Sequence, residues 1–345
     1  MPFIDRILEA KSLSIVGLEK NTGKTECLNY VLRRLAQEHK IPAVTSIGMD
    51  GEGVDQVTST PKPEIYVSEG TYFTTLEPYY LNRHFGAEVC RVTELGGALG
   101  KMVTARALER GKVVLAGPSD TLSLSQWVHD TQRLFGVDVS LVDGALSRKS
   151  PASPAVTQAM ILATGAAYSV NMARLVEETR FVCDCVDFET VDPQTARLLM
   201  PVERGVWGVS AKGDSLWDTG VPAVLCEDQV KEAVERGGKR LYLAGVASSA
   251  LFNELVHHSC EVMEVVVRDF TRIFARPGQV YTFLQQGGSI KCLMRARMIA
   301  VCVNPVAPQG YRLPADLLEE KIREAVRVPV YNIRKLEAYK EFANG

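Results

Sequence analysis

One stretch near the start of the chain, residues 14–25, limits the possible folds more than any other. It begins with an apolar run of strand length, residues 14–17, and ends in Gly23, Lys24 and Thr25, just before a helical segment from Glu26 to Gln37. A loop that holds a polyphosphate needs inward-facing backbone N–H groups, a lysine for the outer phosphates and a hydroxyl for a magnesium ion. The stretch therefore predicts a phosphate-binding loop between a strand and a helix.

The glycine spacing of this loop departs from the common pattern G-x-x-x-x-G-K-[ST]. Leu18 stands where that pattern has glycine, and the glycine lies one residue earlier, at Gly17. An ordinary glycine-rich turn with an incidental lysine is the less favoured alternative, because loop, lysine, threonine and flanking elements coincide. The candidate nucleotide-binding residues of the stretch are Gly17, Glu19, Lys20, Asn21, Thr22, Gly23, Lys24, Thr25 and Glu26.

Acidic residues follow two later strands. Asp50 comes after the predicted strand Pro42 to Gly48, and Asp143 comes after the predicted strand Val137 to Val142. Ligands bind at the carboxyl ends of parallel strands, where a carboxylate can hold magnesium or its water shell. We expect Thr25, Asp50 and Asp143 to be the metal ligands. Alternatively, Asp50 orients the attacking nucleophile instead of binding the metal. A polar loop at Asp50 and a turn at Asp143 are the structural alternatives.

Two further side chains are candidates for contact with the nucleotide. Arg148 lies on a basic loop after Asp143, and its guanidinium suits bidentate contact with a phosphate or an anionic substrate. A solvated basic loop is almost as strong an alternative. Asn304 follows the apolar run Ile299 to Val303, although Asn-Pro is also a common way to open a turn.

Strand and helix patterns alternate along the chain, which predicts an α/β fold with a mainly parallel sheet flanked by helices. The pattern changes beyond Asp187 and predicts two domains: a nucleotide-binding domain at residues 1–190, and a C-terminal α/β region at residues 191–345 that completes the nucleotide site or binds a partner. Residues 56–95 are expected to be an insertion. The run Lys112 to Gly117 predicts a buried strand, followed by a helix that begins near Ser119–Thr121 and ends near Phe135.

Charge and hydropathy exclude some partners. The 39 basic and 41 acidic residues give a formal net charge of −2 without long blocks of one sign, so neither nucleic acid nor an anionic membrane is expected as a partner. No apolar run approaches the roughly 18–20 residues of a membrane helix, and the first residues lack the features of a secretory signal. We therefore expect a cytoplasmic protein.

The loop spacing, Gly17 followed by five residues and then Gly23, Lys24 and Thr25, resembles that of dethiobiotin synthetases. Residues 20–25 are similar to the loops of molybdopterin-guanine-dinucleotide adaptor GTPases, which belong to the same branch of the P-loop NTPases. The resemblance implies a dethiobiotin synthetase-like fold that binds ATP, or alternatively GTP, with Mg²⁺. It also implies that Asp143 takes the place of the strand-final acid, and that the amide of Asn304 contacts the purine.

Residues 17–25, 46–52, 142–154 and 161–166 together resemble a narrower group. These are the P-loop ATPases found alongside adenosylcobalamin-dependent lysine 5,6-aminomutase and ornithine 4,5-aminomutase, which are described as reactivase or accessory subunits. The resemblance implies nucleotide hydrolysis, with Lys24, Asp50 and Asp143 as catalytic residues, coupled to reactivation or chaperoning of such a mutase. The chain lacks the cobalamin-binding pattern D-x-H-x-x-G, so contact with that cofactor is expected to come from the mutase.

Two other functions remain open at this point. One is an ATP-dependent ligase or kinase that acts on a small carboxylate, with a substrate pocket formed by the acidic and aromatic residues of positions 50–95. The other is a nucleotide-dependent adaptor with little turnover. The expected partners are thus a nucleoside triphosphate and the aminomutase, and a homodimer is a further option.

Overall fold

The computed structural model describes residues 3–50, 64–94, 100–145, 153–257 and 264–336. Contacts divide the chain into two units, the first formed by Met1–Arg180 with Arg297–Gly345 and the second by Phe181–Ala296. In chain order, the helices of the described residues are α1 (Ile4–Ala10), α2 (Lys24–Gln37), α3 (Glu77–Leu81), α4 (Thr121–Phe135), α5 (Met172–Val186), α6 (Pro193–Leu199), α7 (Glu227–Gly237), α8 (Ser249–His257), α9 (Pro277–Gln285) and α10 (Ala315–Ala325).

Twenty strands accompany these helices in the described part of the chain. They are β1 (Ser12–Gly17), β2 (Pro42–Ser46), β3 (Met49–Asp50), β4 (Ile65–Val67), β5 (Tyr72–Leu76), β6 (Ala87–Thr93), β7 (Met102–Ala107), β8 (Gly111–Val113), β9 (Leu115–Ala116), β10 (Val139–Ala145), β11 (Ala159–Gly165), β12 (Val206–Val209), β13 (Leu216–Asp218), β14 (Arg240–Leu243), β15 (Ala247–Ser248), β16 (Glu264–Val267), β17 (Ile273–Phe274), β18 (Ser289–Cys292), β19 (Arg297–Asn304) and β20 (Val330–Tyr331).

The first unit is built on a nine-stranded sheet in the order β20-β19-β11-β1-β10-β2-β5-β7-β6. The seven strands from β20 to β5 run parallel. β7 pairs antiparallel with β5, and the edge strand β6 pairs antiparallel with β7. The expected α/β architecture with a mostly parallel sheet flanked by helices is confirmed. β1 is the middle one of the seven parallel strands and is buried along its whole length, as is typical of a parallel strand covered on both faces.

Helix α2 covers this sheet with an apolar stripe. Its buried side chains are Cys27, Leu28, Tyr30, Val31, Leu32 and Leu35, which recur at the three- and four-residue spacing of one helix face. They join the main hydrophobic core, which also contains Ile15 of β1 and Leu141 of β10. The core thereby fixes the start of α2 beside the carboxyl end of β1.

The second unit contains its own sheet, in the order β13-β12-β14-β16-β18. β14, β16 and β18 run parallel, whereas β12 pairs antiparallel with both β13 and β14. A separate hydrophobic cluster that includes Leu199, Tyr242 and Val266 lies in this unit. Helix α8, Ser249–His257, also belongs to this unit.

Two expectations about organisation need correction. The boundary at residue 190 placed all later residues in the second domain, but β19 pairs with β11 in the first sheet, so residues 297–345 belong to the first unit. The run Lys112 to Gly117 is not one sheet strand. It divides into β8, which pairs with β4, and β9, which pairs with β3.

The helix after this run matches its prediction. α4 begins at Thr121 and ends at Phe135, and the Asp120 side chain accepts a hydrogen bond from the backbone N–H of Ser123 at 2.8 Å. This hydrogen bond lowers the pKa of the Asp120 carboxyl, because it stabilises the charged form. Within the described ranges, no helix combines the length and the apolar character needed to cross a lipid bilayer.

Candidate functional site

The carboxyl ends of four neighbouring strands bring the predicted residues of the first unit together. β1 ends at Gly17, and its neighbour β10 pairs Asp143 with Ile15. On the other side of β1, β11 ends at Gly165, which pairs with Asn304 at the end of β19. The chain passes from β10 on one side of β1 to β11 on the other, which is the kind of position where α/β sheets bind ligands.

The loop after β1 folds back tightly over Gly17. A Cβ atom at Gly17 would lie 2.6 Å from Thr22 Oγ1, 2.7 Å from Lys24 Cγ and 2.8 Å from Glu19 O. The hydroxyl of Thr22, which is buried, donates a hydrogen bond to Glu19 O at 2.8 Å. The turn is completed by Asn21 and Gly23, whose φ angles of 61° and 97° lie in the left-handed region.

We expect Gly17→Ala to disrupt this loop. The added methyl group would meet the backbone of Glu19, which is part of the same turn, and overpacking of this kind costs about 1–3 kcal/mol. Titration with ATP and magnesium should show an affinity loss of tenfold or more, on the order of 1.4 kcal/mol. Gly245→Ala is the matched control, because no atom lies within 4 Å of the added Cβ. Unchanged nucleotide affinity in Gly17→Ala would contradict this account of the loop.

Lys24 and Asp143 form the charged centre of the arrangement. Lys24 begins α2, and its Nζ lies 4.0 Å from Asp143 Oδ1, with both side chains largely buried. Asp143 lies within β10 rather than after it. The sequence predicts Asp143 as the acid at the tip of a strand that ends at Val142, but the ladder with β1 continues to Ala145 and holds the aspartate beside the start of α2.

Asn304 lies against the glycine that begins the helix. A Cβ atom at Gly23 would lie 3.0 Å from the Cβ of Asn304, and one at Gly165 would lie 2.0 Å from its backbone oxygen. The Asn304 Oδ1 accepts a hydrogen bond from the backbone N–H of Val306 at 3.2 Å. Asn304 is therefore next to the loop, and part of its amide stabilises the turn that leaves β19.

Two buried thiols lie against each other between α2 and β19. The Sγ atoms of Cys27 and Cys302 lie 3.6 Å apart, and both side chains are excluded from solvent. The hydrogen bond to Cys302 and burial raise the pKa of Cys27 well above its ordinary value. Cys27 therefore remains an uncharged thiol at neutral pH, and the pair packs the two elements together.

The structure gives Glu26 a partner that sequence reasoning missed. Arg334, which follows β20, donates from Nη2 to Glu26 Oε1 at 2.5 Å and from Nε to Oε2 at 3.2 Å. Glu26 was predicted to contact the nucleotide, but its carboxylate is held by this guanidinium. No sequence pattern indicates a pair separated by 308 positions.

The remaining candidates are exposed, half-buried or only partly described by the structure. Glu19 and Lys20 are exposed at the tip of the loop, where the Glu19 carboxylate accepts the backbone N–H of Lys20 at 2.9 Å. Thr25 is half-buried in the first turn of α2. The backbone of Asp50 pairs with Leu115 in the β3–β9 ladder, but its side chain lies outside the described residues, as does all of Arg148.

These residues fit an anion with an associated divalent cation. The loop turns back at the N-terminus of α2, where backbone N–H groups and the helix dipole favour negative charge. The hydroxyl of Thr25 and the carboxylate of Asp143 are oxygen ligands of the kind that magnesium takes alongside water and phosphate. Across the described ranges, no group of three or more His, Cys, Asp or Glu side chains forms a metal cage. Comparison with known proteins finds neither a family model nor a curated protein that matches the chain.

Proposed function

We propose that this chain binds a nucleoside triphosphate, ATP in the first instance and GTP as the alternative, at the loop from Gly17 to Thr25, and hydrolyses it. In this proposal the chain is a P-loop NTPase of the dethiobiotin synthetase-like branch. The observation that carries the proposal is the approach of Lys24 Nζ to Asp143 Oδ1, 4.0 Å apart, where β1, β10 and α2 meet. A lysine and a carboxylate at adjacent strand ends are the two charges that a triphosphate with magnesium needs.

Each residue has a distinct role in the proposed hydrolysis. Lys24 stabilises the charge of the β- and γ-phosphates, and the loop N–H groups hold the phosphates in place. Thr25 and Asp143 bind the metal directly or through its water shell, while Asp50 orients the attacking water. Magnesium, when bound, would neutralise the charge that develops on the phosphate oxygens.

The proposed consequence of hydrolysis is the reactivation of a partner enzyme, an adenosylcobalamin-dependent aminomutase. Nucleotide binding and hydrolysis can drive such a cycle if the ATP-bound and ADP-bound forms bind the partner with different affinity. The support for this step is the resemblance of residues 17–25, 46–52, 142–154 and 161–166 to the reactivase group.

One observation weighs against the ligase or kinase alternative. In that alternative, the acidic and aromatic residues of positions 50–95 form the substrate pocket. Instead, Phe73 packs against Tyr80 and Phe85 at ring-centroid distances of 6.5 and 5.6 Å, and all three side chains are buried in the core of the first unit. These three rings are therefore occupied in stabilising the fold.

Phosphate release separates the three functions. We expect the purified protein to release phosphate from ATP slowly with magnesium present, and faster when a lysine 5,6- or ornithine 4,5-aminomutase is added. A matched reaction contains bovine serum albumin in place of the mutase. Turnover that rises only with a small carboxylic acid would contradict reactivation and favour the ligase or kinase. Tight nucleotide binding without release under any condition would favour the adaptor.

A further inference from the structure

Two of the described cysteines, Cys27 of α2 and Cys302 of β19, lie in contact inside the main core of the first unit. Their Sγ atoms are 3.6 Å apart, and both are free thiols. In a disulfide bond the two sulfur atoms lie about 2.05 Å apart. A movement of about 1.5 Å therefore separates the observed contact from a covalent bond.

The thiol contact is one of two points at which the start of α2 meets β19. At the glycine before α2, a Cβ atom on Gly23 would lie 3.0 Å from the Cβ of Asn304. Gly23 and Cys27 are separated by about 6 Å along a helix axis, and Asn304 and Cys302 by about 6.6 Å along a strand. Because the two spacings agree, the first turn of α2, which carries Lys24, lies along the end of β19.

From this geometry we infer that Cys27 and Cys302 are a redox pair, which a peroxide oxidises to a disulfide that ties the start of α2 to β19. One thiol is first oxidised to a sulfenic acid, and one water molecule leaves. The sulfur of the second thiol then attacks the sulfenic sulfur, an Sγ–Sγ bond forms, and a second water molecule leaves. Overall, two S–H bonds break, and hydrogen peroxide takes up the two electrons and the two protons.

The disulfide changes the geometry of the phosphate-binding loop. Closing the gap between the sulfur atoms draws the first turn of α2 towards β19, whereas Asp143 lies on β10, on the opposite side of β1. Lys24 is thereby displaced from its place beside Asp143. A displacement of about 1 Å can lower a reaction rate about 100-fold, so we expect slower nucleotide hydrolysis. This effect on turnover rests on the proposed function, but formation of the disulfide does not.

Burial makes the oxidation slow. Both side chains are almost fully excluded from solvent, and the raised pKa of Cys27 keeps its thiol uncharged, whereas the thiolate is the more reactive form. Peroxide reaches the pair when the start of α2 separates briefly from β19, and such local opening costs less free energy than global unfolding. The pair therefore responds to sustained exposure to peroxide rather than to a brief pulse.

The first test detects the disulfide without nucleotide. The full chain is incubated with excess hydrogen peroxide, the remaining thiols are blocked with N-ethylmaleimide, and the unreduced peptides are mapped by mass spectrometry. We expect two peptides joined through Cys27 and Cys302, which separate again after treatment with dithiothreitol. If the joined peptides do not form after prolonged incubation, or if these two cysteines bond to other cysteines instead, the inference is wrong.

The second test measures phosphate release from ATP and magnesium before and after oxidation. We expect release to fall about 10- to 100-fold in the oxidised wild type and to recover with dithiothreitol. Peroxide should not slow Cys302→Ala, which lacks one member of the pair. Cys226→Ala is the matched control, because it removes an exposed thiol of the second unit, and peroxide should slow it as much as the wild type.

The outcomes separate this inference from the proposed function. Unchanged phosphate release from a protein that maps as bridged, or equal slowing of Cys302→Ala and the wild type, would overturn the effect of the disulfide on the loop. Absence of phosphate release from the reduced wild type would instead contradict the proposed function, and the peptide map alone would then decide whether Cys27 and Cys302 are a redox pair.

Discussion

Asp143→Asn is expected to reduce magnesium-dependent phosphate release about 10- to 100-fold, the usual cost of changing a group that orients a metal or its bound water. The substitution preserves size but removes the negative charge 4.0 Å from Lys24 Nζ. Nucleotide binding should fall less than turnover, because the loop N–H groups and Lys24 remain. Steady-state phosphate release, measured over a magnesium titration, should need more metal to reach half of its maximal rate.

The control for this variant lies at the other end of the same strand. Asp138, just before β10, accepts the backbone N–H of Ile41 at 2.8 Å and is more exposed than Asp143. Asp138→Asn removes the same charge far from the loop, so phosphate release should stay within about twofold of wild type, as is usual for surface positions. Since Lys24 is largely buried, circular dichroism must verify that Asp143→Asn is folded. Full activity of a folded Asp143→Asn protein would move the acidic role to Asp50.

The parts of the fold that the sequence predicts well are those set by local pattern. The apolar run before Gly17, the glycine-bounded loop and the amphipathic helix after it each have a local cause, and the structure places β1 and α2 where they were expected. Helix α4 is similar, because Asp120 can cap the helix within its own neighbourhood. The predicted meeting of the loop with Asp143 follows from one rule, that parallel strands end at the same edge of a sheet.

The sequence pattern does not show which distant segments of the chain pair with each other. Residues 299–303 are apolar and buried, as a central strand of either sheet would be, so the run alone does not say that β19 joins the first sheet. The same ambiguity applies to Lys112–Gly117, whose apolar residues divide between two ladders. Arg334 is one of 39 basic residues, and only the three-dimensional fold pairs it with Glu26.

Lys24→Ala is expected to have the largest effect of any single substitution in the first unit. Hydrogen bonds to charged groups contribute about 1.5–3 kcal/mol each, so loss of the lysine should weaken nucleotide binding by tenfold or more, on the order of 1.4 kcal/mol per factor of ten. Hydrolysis should fall further, since Lys24 is also proposed to stabilise charge that develops during the reaction. Lys40, which follows α2 and lies 3.9 Å from Asp138, provides the control variant Lys40→Ala.

Isothermal titration of ATP with magnesium into the wild-type protein and into Lys24→Ala tests the central claim most directly, namely that the loop from Gly17 to Thr25 is a nucleotide site. The account predicts one binding site per chain in the wild type, its retention in Lys40→Ala, and an affinity at least about tenfold lower in a folded Lys24→Ala protein. Binding of neither ATP nor GTP to the wild type, or equal affinity in wild type and Lys24→Ala, would contradict it.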